Sequence, residues 1–133
     1  MKRLILSLCV LLLPSCALYN AYFMAPFDNN EYKLVNSIRT QANLATAKCG
    51  KPEAIEAVDG IYYTALEFRN YSQYIPRNEE TIRLSSELAE MTKGLYDRYH
   101  TKEPVSMVYC TTKFGSLEKN AILVQNVVGK KPK

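Results

Sequence analysis

The chain has no Trp, a single His, five Gly and six Pro in 133 residues. Each shortage excludes something. So little Gly and Pro rules out a collagen-like or low-complexity chain. One His cannot supply the paired Glu-x-x-His repeats of a di-iron bundle. That residue, His100, follows no C-x-x-C motif, so covalent haem attachment is excluded as well. Phosphate cradles of the G-x-x-x-x-G-K and G-x-G-x-x-G types are missing, as is a G-x-S-x-G nucleophile elbow. The formal net charge is only +4, too small to point to nucleic acid. No catalytic, metal or cofactor site is therefore expected, and the chain reads as a non-enzyme. What is present is a composition of 47% hydrophobic and 23% charged residues, that of one globular domain.

The N-terminus carries an address. Lys2 and Arg3 precede an apolar run from Leu4 to Leu13 that only Ser7 interrupts, and Leu13-Pro14-Ser15-Cys16 follows. A basic start, an apolar core and a small residue before the cut describe a secretory signal. The Leu-x-Ser-Cys ending resembles the lipobox of bacterial lipoproteins, over residues 1–16 only. The resemblance implies cleavage before Cys16 and acylation of its thiol and new amine. Residues 1–15 are then the signal peptide, and the mature chain loses the cations Lys2 and Arg3. Several acyl chains hold stably where one holds transiently, at ~0.8 kcal/mol per buried methylene. Ala17, not Asp, follows Cys16. By resemblance to the enterobacterial sorting rule, this implies an outer-membrane location facing the periplasm. An alternative is an uncut inner-membrane span, because Leu4 to Phe27 is uncharged and longer than the ~20 residues a span needs.

Residues 16–27 read as a lipidated, aromatic, membrane-proximal tether. Asp28 and Glu31 suggest a capping box at the start of a first helix. Its stripe is Glu31, Val35, Ile38, Ala42, Ala45 and Cys49, and Gly50 and Pro52 break the chain. A second helix carries Ala54, Val58, Ile61, Ala65 and Phe68 and ends before Pro76. Asn78 is read as the cap of a third helix, which runs to His100. Met107, Cys110, Phe114, Leu117, Ala121, Val124 and Val128 form the heptad of a fourth, with Gly129 as its C-cap. Lys130, Lys131 and Lys133 read as a frayed basic tail. Gly60, Gly94 and Gly115 fall within helices, which suggests close helix approaches.

Short loops favour antiparallel neighbours, so the expected fold is all-α. It is an antiparallel up-down-up-down four-helix bundle over residues 28–129, with the tail at 130–133. In that topology Cys49 ends helix 1 where Cys110 begins helix 4, and helices 1 and 4 are neighbours. A structural disulfide between Cys49 and Cys110 follows, consistent with an oxidising compartment.

Ten Tyr remain to be placed. Tyr63, Arg69, Tyr71, Tyr74 and Arg77 form a candidate protein interface, since Tyr and Arg are typical anchors; core packing of Tyr71 and Tyr74 is the alternative. The functional expectation is a membrane-anchored periplasmic lipoprotein that binds another envelope protein or supports an envelope complex. Its partners are thus the membrane, through the anchor, and an envelope protein, with no nucleic acid. One alternative is a phage- or plasmid-encoded exclusion lipoprotein. Another is a small-ligand binder with a pocket lined by Tyr62, Tyr96 and Phe114.

Overall fold

The computed structural model describes residues 24–133. The expected signal peptide, the expected lipidation residue Cys16 and most of the expected tether lie outside the described residues. Four helices follow in order: α1 (Asn29–Ala45), α2 (Glu53–Gln73), α3 (Glu79–Tyr99) and α4 (Met107–Gly129), with a 3-10 turn at Thr46–Lys48 after α1. Helix α1 packs on α2 and α4, and α3 packs on α2 and α4, so each helix lies beside two others around the bundle. This is the expected four-helix bundle. Among the described residues no helix is long and apolar enough to cross a membrane.

The helices form where local chemistry starts and stops them. Asp28 caps α1, its side chain accepting from the amides of Asn30 at 2.8 Å and Glu31 at 2.9 Å. Ser106 caps α4 by accepting from Tyr109 N at 3.1 Å, which overrides the β propensity of the surrounding sequence. Gly50 turns the chain between α1 and α2 at φ 77°, a conformation that penalises any side chain.

The apolar stripes face inward. Val35, Ile38 and Ala42 of α1, Val58, Ile61 and Phe68 of α2, and Phe114, Leu117 and Ala121 of α4 are buried in one cluster. Fully burying a large side chain such as Phe68 or Phe114 contributes about 1.5–3 kcal/mol. Helix α3 is the polar member, burying Thr81, Ser85 and Thr92 beside Leu88, Ala89 and Leu95. Its seam with α4 is the sparsest of the four.

Several local expectations are corrected. Met107 lies outside the core at 60% exposure, because the stripe begins to bury only at Cys110. Gly129 is the last helical residue and Lys130 the C-cap; an added Cβ at Gly129 would meet the Tyr32 ring at 3.3 Å. Gly129 thus permits a close approach instead of a left-handed cap. Among the mid-helix glycines, Gly60 has a close neighbour, the Gln41 side chain, while Gly94 and Gly115 face open space.

Cys49 and Cys110 are joined by a disulfide, with Cα atoms 5.7 Å apart and a sequence separation of 61. It fastens the end of the 3-10 turn that follows α1 to the start of α4, since α1 itself stops at Ala45, short of the expected end at Cys49. Closing a loop of this length should contribute on the order of 4 kcal/mol. Replacing both cysteines by Ser is therefore expected to lower unfolding stability in urea by about that amount. A difference below about 1 kcal/mol would contradict the assignment of this bond as a main stabiliser.

Candidate functional site

The two ends of the bundle differ. At the upper end lie the disulfide, the α1–α2 turn and the 101–105 loop. The lower end holds the starts of α1 and α3, the ends of α2 and α4, and residues 24–27.

A polar cluster that sequence reasoning missed closes the lower end. Glu31 and Lys131 form an ion pair with side chains 0% and 3% exposed. Asn78, between them, donates through Nδ2 to Glu31 Oε1 at 2.6 Å and to the Ser72 carbonyl at 3.0 Å. Its Oδ1 accepts from Lys131 Nζ. Asn78 stands at the N-cap position of α3, yet its side chain does not cap the helix. Glu31 likewise turns its carboxylate inward to Lys131 and Asn78, where a capping box was expected. Nor is Lys131 part of a frayed tail. It is 6% exposed, held by a carboxylate 100 residues earlier in the chain. Burial of an ion is tolerable only when a partner and hydrogen bonds replace its water.

Residues 24–27 cross this end as a strap. The Ala25 amide donates to the Arg77 carbonyl at 3.0 Å, and the Phe27 amide donates to the Pro132 carbonyl at 2.7 Å. Arg77 adopts φ 59°, which turns the chain from α2 into α3. A cleft of about 250 Å³ opens here between Met24, Ala25, Lys131 and the start of α3.

The five candidate interface residues make different local contacts. Tyr71 is a brace, its hydroxyl donating to Asp28 Oδ2 at 3.2 Å and accepting from Asn30 Nδ2 at 3.1 Å. Arg69 is half-buried. Tyr74 is 87% exposed and caps α2 at the lower end, three residues before Arg77. Tyr63 joins an aromatic cluster across α2 and α3. There Tyr62 packs on Tyr96 with ring centroids 4.6 Å apart. Tyr63 lies 5.5 Å from Tyr62 and 6.3 Å from Tyr96.

His100 completes that cluster. Its ring stacks on Tyr96 at 4.1 Å. Nδ1 lies 2.9 Å from the Tyr96 carbonyl, which can only accept, so Nδ1 carries a proton. Nε2 lies 3.5 Å from Asp59 Oδ1. Sequence reading placed His100 at the helix end but could not foresee Asp59, which α2 supplies. Interaction with Tyr63, followed by burial and then the nearby Asp59 charge, raises the Tyr96 phenol above its ordinary value. Burial does the same for Tyr99.

The pocket expected at Tyr62, Tyr96 and Phe114 has no counterpart in the three clefts described. Phe114 sits in the core, while Tyr62 and Tyr96 pack on each other. The clefts lie instead at the lower end, beside the 101–105 loop (about 440 Å³) and between α1 and α2 near Leu44 (about 200 Å³). Among the described residues, no group of three or more His, Cys, Asp or Glu is placed to hold a metal.

The fold and these clusters define a disulfide-closed helical bundle with a buried polar lock at one end. No family model matches the chain, no curated protein matches its sequence and no solved structure matches its fold.

Two outcomes follow. Lys131→Met strands a buried carboxylate and should cost about 3–5 kcal/mol, most of which the pair Glu31→Leu with Lys131→Met should restore. Equal losses in single and double variants, measured by urea unfolding, would contradict a buried pair. In an alkaline titration followed by tyrosinate absorbance, Tyr63→Phe should make one phenol ionise at lower pH, because the raised Tyr96 value depends on Tyr63. An unchanged titration of the remaining tyrosines would contradict that coupling.

Proposed function

We propose that this chain is an outer-membrane lipoprotein, anchored through Cys16 and facing the periplasm. On this reading it acts without catalysis, as a protein-binding component of an envelope complex. The observation that carries this reading is the Cys49–Cys110 disulfide in a chain that opens with a lipobox. A structural disulfide belongs to an oxidising compartment, and the lipobox supplies both the export route and the anchor. The two features are far apart in sequence and agree on the compartment.

The partner surface is best drawn around Tyr63. This residue is 59% exposed and rests on Tyr62 and Tyr96, an aromatic platform with His100 and Asp59 at its edge. Rigid aromatic area with a polar rim is what binding hot spots use. A non-catalytic role is supported by how His100 is used. Its ring face is covered by Tyr96 and Nδ1 is engaged by the backbone.

Cys16→Ser is expected to abolish labelled-palmitate incorporation and to remove the protein from outer-membrane fractions. Incorporation that survives the substitution would contradict the anchor. A photo-crosslinker at position 63 should capture a defined envelope protein from intact cells, and one at Lys119 on the exposed face of α4 should not. Equal capture at both positions, or none at 63, would contradict the assigned surface.

A further inference from the structure

We infer that the lower end of the bundle is a lipid-contact surface, with Tyr74 resting in the headgroup region of the bilayer. This rests on the anchoring proposed above and adds which residues meet the lipid.

Three observations carry it. First, Tyr74 is the most exposed large hydrophobic residue described, at 87%, and it projects from the end of α2, not from a packed ridge. Second, the same end shows Pro26, Arg77, Lys130 and Lys133 exposed, with Met24, Ile75 and Pro132 half-buried. Tyr flanked by Lys and Arg is the composition of interfacial anchors. Third, the covalent reach is short. Eight residue steps separate Cys16 from Met24, so full extension spans at most ~28 Å. The strap bonds from Ala25 to Arg77 and from Phe27 to Pro132 fix where the chain leaves the bundle. That point is at the lower end, while α2 alone extends upward by about 32 Å. An anchored bundle therefore presents this end to the bilayer.

Glu79 and Glu80 are also exposed at this end, on the first turn of α3. They offset the cations, so the contact is made by aromatic and apolar groups and not by net charge. Its depth should then depend little on anionic lipid.

The test uses the full lipidated protein in phosphatidylethanolamine vesicles with and without phosphatidylglycerol. The chain has no Trp, so Tyr74→Trp introduces a single indole. Tyr63→Trp is the control, on the same face of α2 and about 16 Å higher. Brominated lipids are expected to quench the indole at position 74 roughly twofold, with a blue shift, in both vesicle types, and to leave that at 63 nearly unquenched. Vesicles that carry the protein but quench neither position would overturn this inference while the anchor stands. Equal quenching at both positions would mean that the bundle lies on its side, and would also overturn it. Quenching at 74 only with phosphatidylglycerol would overturn the apolar basis of the contact. Failure of the protein to float with the vesicles would overturn the anchor and this inference together.

Discussion

A lysine and a glutamate, both stripped of water, hold the lower end of this molecule together. Glu31 belongs to the first turn of α1, Lys131 follows α4, and Asn78 between them begins α3. Neither charge can be left alone inside the protein, because an unpaired buried ion costs several kcal/mol. The two must therefore meet, and they can meet only when α1, α3 and the residues after α4 are in register. The rest of that end is built on this requirement. With Lys131 drawn inward, Pro132 is placed to accept from Phe27, and Phe27 packs on Tyr32 with ring centroids 5.8 Å apart. Gly129 gives the Tyr32 ring its room.

The disulfide does the corresponding work at the other end. Cys49 and Cys110 join the 3-10 turn after α1 to the start of α4, while Glu31 and Lys131 join the start of α1 to the end of α4. One seam is thus fastened twice, by a covalent bond above and an ion pair below. Between them, Gln125 accepts from Arg39 at 3.1 Å and donates to Asn36 at 3.0 Å. The first and last helices of the chain are closed on each other, and α2 and α3 form a second well-packed pair. The α3–α4 seam, sparse and faced by Thr81, Ser85 and Thr92, is where the bundle has least to hold it.

Periodicity made most of the bundle legible. The stripes from Val35 to Cys49, Ala54 to Phe68 and Cys110 to Val128 are buried as their spacing requires. The disulfide was legible because it follows from topology once the helices are drawn. The polar lock was not. A lysine after a glycine near the chain end reads as a solvated tail, and a glutamate three residues after an aspartate reads as a cap. Nothing local tells either residue that its partner lies 100 positions away. The same blindness applies to the individual tyrosines. Tyr71 and Tyr74 are three residues apart, yet one braces α1 and the other stands in solvent, because a helix turns and then ends. Asp59, His100 and Tyr96 meet only through the packing of α2 on α3.

Residues 24–27 are thus tied into the fold at the lower end, and this is the central structural claim. Native-state hydrogen exchange at the amides of Ala25 and Phe27 tests it most directly. Both donate to carbonyls supplied by distant parts of the chain. If the lower end is closed as described, both amides exchange only through opening of that end, and Lys131→Met speeds them while amides in the middle of α2 keep most of their protection. Exchange at the rate of an unstructured chain in the unsubstituted protein would contradict the account.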